Sequence, residues 1–294
     1  MSKLTVVLGF DMETDIGSWT PFYEGLVNGT PIILDILERH GISATFFFTG
    51  DSVTKHPEVV RAVKQRGHEI GAHTLFHETI GDALFDIPGM MPILPEEVPN
   101  RLRRCTDCIE QVAGVRPVSF RCPRLFGSTA VVNALESLCY VADASYPMYY
   151  FRERLRPYHP SRDDWTQEGD LRIVELPNFA DLSMTSQDPF GRDRDQWPLF
   201  RTESAEALLR HIDGYVGYCR AQAVEPFLCF YFHPWELHPM PETEIRFGEG
   251  SVLPDPFIVR NCGPYAAEQL DALIGELLER GAQFLQAQHA AKEL

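Results

Sequence analysis

The sequence predicts an α/β protein built on a parallel sheet that closes toward a barrel. Three observations carry that expectation: short apolar runs rich in β-branched and aromatic residues, helical segments between them that open on Pro and stop on Gly, and chemically capable polar residues where the runs end. A chain of 294 residues could hold two average domains, but α/β barrels of this size are single units. Neither a linker nor an internal repeat divides it, so one domain over 1–294 is expected.

The run LTVVLGF (4 to 10) is apolar throughout, as a strand covered on both faces is, and supplies the first strand. Thr30 and Pro31 read as the N-cap and first turn of a helix over PIILDILERH, which Gly41 ends. SATFFFTG is the second strand, PEVVRAVKQRG the next helix and HEIGA the third strand. A helix near 95 to 113, the strand PVSFR, a helix from Ser128 to about Leu138 and the strand CYVADAS continue the alternation, which implies right-handed crossovers. From about 147 to 200 the pattern gives way to Pro, Asp, Arg and aromatics, expected as an irregular insertion covering a site. A helix at about 202 to 223, the strand FLCFYF, a Pro/Gly-rich loop to 263, the helix PYAAEQLDALIGELLERG and the strand AQFLQ complete the chain.

Composition narrows the function. With 44% hydrophobic residues and no apolar run near eighteen residues, the chain is expected to be globular, without a membrane span. A formal charge of −16 opposes nucleic acid and anionic membranes as partners. Arg192 and Arg194 in FGRDRDQWPLF are interleaved with acids and read as a solvated or salt-bridged loop, with local contact to a charged substrate as the alternative. Seven cysteines form an odd set without scaffold spacing, and Cys105 and Cys108 lack the second pair that structural zinc needs. An N-terminus without a leader-like cleavage pattern adds to this, and a reducing, cytoplasmic setting is expected.

Position is the informative fact about the polar residues. Asp11 and Glu13 end the first strand, His73 and His77 follow the third, Arg121 ends the fourth, Asp143 the fifth, and His233 ends FLCFYF. In parallel barrels active sites gather at these C-terminal ends. Histidines at i and i+4 share one side of a helical turn, and with a carboxylate from another strand they make a donor set that suits zinc with a position left open. Each residue alone has an ordinary structural reading, Arg121 as a strand-end ion pair and Asp143 as a turn cap. Trp19, Trp165, Trp197 and Trp235 read as core aromatics before sugar platforms, and His238 as a loop residue.

The order SATFFFTGDSVTKHPEVVRAVKQRGHEIGAHTLFH, SFRCPR, DASYP and FYFHPWEL resembles the NodB-type polysaccharide deacetylases of carbohydrate esterase family four, over about residues 4 to 238. FDMETD stands where that family has an adjacent aspartate pair and resembles divergent branches with an F-D-x-E form, some of which open cyclic imides or ureides. The resemblance implies a distorted (β/α)7 NodB-like barrel and a divalent metal, Zn2+ first, with Co2+, Ni2+ or Mn2+ as alternatives. It assigns His73, His77 and Glu13 to the metal and Asp11 to the general base, with the two acids interchangeable and Asp15 as a third candidate. Arg121 is then the residue that holds the base, His233 the general acid and Asp143 its orienting partner.

The function implied is N-deacetylation of an amino sugar in an oligo- or polysaccharide. Two alternatives are a cyclic imide or ureide hydrolase of the allantoinase type, and a non-catalytic carbohydrate-binding barrel. A carbohydrate or small amide partner is expected, with self-association of the barrel as a further expectation.

Overall fold

The computed structural model describes residues 4–87 and 89–293. Eight parallel strands form the main sheet: β1 (Leu4–Met12), β2 (Thr45–Phe48), β3 (Glu69–Ala72), β4 (Ser119–Phe120), β5 (Ala142–Asp143), β6 (Val174–Glu175), β7 (Phe227–Phe232) and β10 (Ala282–Leu285). A separate antiparallel pair, β8 (Ile245–Phe247) and β9 (Gly250–Val252), lies in the late loop. β1 through β6 follow one another in space, β7 pairs with the far side of β1, and β10 joins the start of β1. The Phe179 amide, just beyond β6, donates to the Cys229 carbonyl on β7 at 2.8 Å and brings the curled sheet round. β1 to β7 make the distorted seven-stranded barrel, with helices outside, that the sequence predicts, and β10 adds an eighth strand beside β1.

Strand parity divides the core. Val6, Leu8, Phe10 and Met12 of β1 pack outward with Phe46, Phe48, Phe230 and Phe232 against the helices. Val7 joins Phe47, Phe227 and Cys229 in a second cluster inside the barrel. Side chains alternate along a strand, so Gly9 and Asp11, two and four residues after Val7, face the interior, and Glu13 continues the same face. Gly9 is required there: a Cβ would stand 2.1 Å from an Arg121 guanidinium nitrogen. The C-terminal segment closes the opposite end, the Ala287 amide donating to Thr45 Oγ1 at 2.8 Å and the Gln288 amide to Glu69 Oε2 at 3.2 Å.

Two sequence expectations change. The first long helix spans Glu24–His40, so Thr30 and Pro31 lie inside it rather than at its start. Thr30 Oγ1 donates back to the Leu26 carbonyl at 2.6 Å, the bond of a mid-helix threonine. The true start is capped from a distance, the amides of Glu24 and Gly25 donating to the Asp15 carboxylate at 3.0 and 2.9 Å. The stretch from 147 to 200 is also not wholly an insertion, since it contains β6. That strand is only two residues long and carries no periodic signal. Among the described residues, no helix is long and apolar enough to cross a membrane. All seven cysteines are free thiols.

Candidate active site

The mouth of the barrel collects side chains from the ends of β1, β3, β4 and β7. His73 follows β3 directly, and the chain then turns back through left-handed residues at Thr74 (φ 62°) and His77 (φ 60°). The expected helical turn is therefore a tight irregular turn. It still sets the two imidazoles side by side, with ring centroids 5.1 Å apart. Positive φ at non-glycine residues costs backbone energy, and such strain concentrates at functional sites.

Glu13, His73 and His77 each offer a ligand atom, all within 4.8 Å of one another. Glu13 Oε2 is 3.5 Å from His73 Nε2 and in direct contact with His77 Nε2. Both Glu13 oxygens are buried, and neither meets a donor in hydrogen-bond geometry. A buried carboxylate left in that state is costly unless a cation completes it, so the donor set fits a divalent metal. His73 Nδ1 lies 2.7 Å from the Arg121 carbonyl, which fixes its proton on Nδ1 and turns the Nε2 lone pair to the cluster. Burial holds His77 below its ordinary pKa, keeping it neutral, against the opposing pull of Glu13. Burial alone would raise Glu13, but its interactions with His77 and His73 hold it well below the usual carboxylate range.

Asp11 lies next to this cluster, its Oδ1 accepting from Arg121 NH1 at 2.9 Å. Arg121 is fully buried, and its donors are placed: Nε on the Ala144 carbonyl at 3.1 Å, NH2 on Asn178 Oδ1 and the Phe230 carbonyl, both at 3.2 Å. The guanidinium also stacks 4.5 Å from the Phe47 ring centroid. Arg121 thus holds the Asp11 carboxylate in place.

His233 arrives from the end of β7 as expected, but its partner does not. Its Nδ1 is 3.2 Å from Glu236 Oε2, and its amide donates to the same oxygen at 2.9 Å. Burial pulls the His233 pKa down, yet Glu236, helped by Glu13 and Asp11, outweighs it and raises the value. Glu236 is itself anchored by Arg201 Nε at 2.8 Å and Trp197 Nε1 at 2.9 Å.

Asp143 is thus not the orienting partner of His233. Its neighbours Ala142 and Ala144 belong to the interior cluster, so Asp143 points to the other face of the sheet. There it accepts from the Ser145 hydroxyl and faces Glu175, its register partner on β6. Asp15, the third acid weighed for the first motif, is the helix cap described above; burial raises it to about 7, against the Gly25 and Glu24 amides.

Asp11, Glu13, His73, His77 and His233 line one cavity of about 360 Å3. Its other walls include Trp19, Phe85, Arg124, Tyr149, Arg192, Asp195, Trp197 and Tyr231. Trp165 and Trp235 are core residues, as expected, whereas Trp19 and Trp197 reach the cavity. Sequence reasoning missed Glu236, Arg201 and Arg124. Glu236 had a legible signal, because H-P-W-E places Pro at the first position and Glu at the third of a capped turn, and the structure forms that capping box.

The family model for polysaccharide deacetylases matches residues 2–142. Over that segment the chain is similar to the polysaccharide deacetylases. Over 133 residues it is 29% identical to a peptidoglycan-N-acetylglucosamine deacetylase of Bacillus cereus, covering 37% of this chain and 45% of that one. A chitooligosaccharide deacetylase of Azorhizobium caulinodans is 31% identical over 110 residues, 37% of this chain and 48% of that one. The chain thus spans about half the length of these curated relatives. A Mycobacterium smegmatis structure assigned to the polysaccharide deacetylases shares the fold, with a TM-score of 0.65 and 19% identity over 99% of this chain and 90% of that one. Asp11, Glu13, His73, His77 and Arg121 lie inside the matched segment, whereas His233 and Glu236 lie beyond it.

Proposed function

We propose that the chain hydrolyses a C–N amide bond and removes the N-acetyl group from an amino sugar in an oligo- or polysaccharide. One observation carries this reading: the ligand atoms of Glu13, His73 and His77 converge in a cavity whose walls also carry the Asp11 carboxylate and the His233 imidazole.

A divalent ion held by these three residues supplies Lewis acidity toward a carbonyl oxygen and makes water more acidic; Zn2+ suits the two imidazoles and one carboxylate, with Co2+, Ni2+ or Mn2+ as alternatives. Asp11 takes the proton from the attacking water. Arg121 keeps that carboxylate aimed through its charge-assisted bond. His233 gives its proton to the departing nitrogen, so that the amine leaves neutral and acetate remains. Glu236 supports this by favouring the imidazolium. The products are one acetate and one free amine per water consumed.

Shape supports a chain-like substrate over a small ring amide. The cavity shares the wall residues Arg192, Asp195, Trp197 and Ile258 with a neighbouring one of about 590 Å3. Trp19 and Trp197 offer flat faces along it. The named activities of the Bacillus and Azorhizobium relatives support the same substrate class.

The test joins metal content to product. Elemental analysis of wild type and His77→Ala is expected to show about one divalent ion per chain, lost in the variant. Acetate release from N-acetylglucosamine oligomers is expected in the wild type. Ring opening of cyclic imides without acetate release would replace this reading with the imidase, and a chain that binds no metal would remove both.

A further inference from the structure

Arg124 is a cation in the wall of the cavity with no carboxylate in contact with it among the described residues. Among the described residues it forms no ion pair with a carboxylate, and its one polar contact is a long one, NH1 to His77 Nδ1 at 3.4 Å. The acids around it are otherwise engaged. Asp11 is paired with Arg121, Glu13 lies against the two imidazoles, and Asp195 is bonded by the Tyr231 hydroxyl and pushed by burial up to about 7. Asp86, also on the wall, is exposed at the rim.

The backbone at this point is also unusual. Arg124 and Leu125 both have φ of 59°, in the left-handed region that long side chains rarely adopt. A half-buried, unpaired guanidinium on strained backbone is destabilising twice over, and such arrangements persist where a ligand completes them. The His77 contact does not complete it. A neutral His77 that offers Nε2 as a ligand carries its proton on Nδ1, and that nitrogen then cannot accept from Arg124. The guanidinium donors are left to the cavity.

A second arginine faces the same space. Arg192 lines the cavity, is exposed, and stacks with its guanidinium 4.8 Å from the Phe85 ring centroid, again with no carboxylate partner among the described residues. The cavity wall therefore carries two guanidinium groups, neither of them in an ion pair with a carboxylate among the described residues.

We propose that Arg124, assisted by Arg192, determines specificity by receiving a negatively charged substituent, a carboxylate or phosphate, carried by the substrate close to the amide that is cleaved. This rests on the hydrolytic reading of the same cavity and narrows its substrate class to acidic amides. Arginine suits the task because its planar fork binds either oxyanion in bidentate fashion, whereas a neutral sugar leaves it unpaired.

The test compares paired substrates on metal-loaded protein: N-acetylglucosamine against N-acetylglucosamine 6-phosphate and N-acetylmuramic acid, which carries a carboxylate. In the wild type kcat/KM is expected to favour one or both acidic members by about tenfold or more. In Arg124→Gln that ratio should fall toward one, with partial recovery in Arg124→Lys. Arg192→Gln, an exposed change without risk to folding, should lower it by a smaller factor. The phosphate and muramate arms separate the two anions.

Calorimetric binding of glucosamine 6-phosphate against glucosamine gives a readout that needs no turnover. If no substrate turns over but Arg124→Gln still removes the preference for the phosphate, the hydrolytic reading fails and the anion site stands. Equal kcat/KM for neutral and acidic substrates in the wild type overturns the proposal. So does a fall in kcat of the same size for both classes in Arg124→Gln, which would place Arg124 on the reacting oxygen instead.

Discussion

Asp11 and Asp143 are both aspartates at the C-terminal end of a barrel strand, and they do unlike things. Asp11 shares the parity of Val7, faces the interior and is held by Arg121 beside the metal-type cluster. Asp143 sits between two inward-facing alanines, so it points outward to Ser145 and Glu175. The strand-end rule locates a residue around the rim of a barrel. Parity then decides whether it enters the mouth, and a shift of one residue reverses the answer.

The largest test of this contrast is to neutralise each acid. Asp11→Asn is expected to retain its metal and lose turnover by about 10^2- to 10^4-fold, the range of a general base. Asp143→Asn should leave turnover within a few-fold of wild type. Metal analysis with steady-state kinetics on both variants checks the pair, and a loss of metal from Asp11→Asn with retention in Glu13→Gln would exchange the roles of the two acids.

A smaller effect is expected from Glu236→Gln, which removes the carboxylate beside His233 but keeps an acceptor for Arg201. Glu236 raises the His233 pKa, so the protonated acid persists to higher pH in the wild type. Without it, the basic limb of the kcat profile should move to lower pH. An unmoved limb would mean that another group supplies the leaving-group proton.

Much of this site was legible in the sequence up to Arg121. There β1 and β2 are long or strongly apolar, and the GHEIGAHTLFH turn announces itself by residue type. Beyond Arg121 the signals weaken for physical reasons. β5 and β6 are two residues each, too short for a period-2 pattern. Asn178, which fastens Arg121, follows β6 inside a stretch read as pure insertion. Glu236 was readable only as a cap, and Arg201 reaches it from 35 residues away. The family match shows the same divide, ending at residue 142.

Asp143 sharpens the comparison through stability. Burial raises it to about 6 and raises Glu175 well above the carboxylate range, while each keeps one buried oxygen without another donor. The facing pair therefore holds a proton in the folded chain that the unfolded chain releases near pH 4. The sign follows from the raised values: the contribution is complete below about pH 4 and is lost as pH rises through about 6. Asp143→Asn removes one of the two acids, so its Tm relative to wild type should increase by a few °C between pH 4 and pH 8. A difference that does not change with pH would show that the pair is not protonated in the fold.

The smallest expected effect concerns Asp15, which separates structure from chemistry within the first motif itself. It stands two residues after Glu13, yet its carboxylate accepts the Glu24 and Gly25 amides and starts the helix that packs on Pro234–Leu237. Gly29 of that helix lies so close that a Cβ would stand 1.9 Å from the Pro234 carbonyl. Losing the cap should cost about 1 kcal/mol, read as roughly 2–4 °C in Tm for Asp15→Ala. Metal content should stay at the wild-type level, because Asp15 is no part of the Glu13, His73 and His77 cluster. Loss of the metal with little change in Tm would instead make Asp15 a ligand and reverse the assignment of the acids in FDMETD.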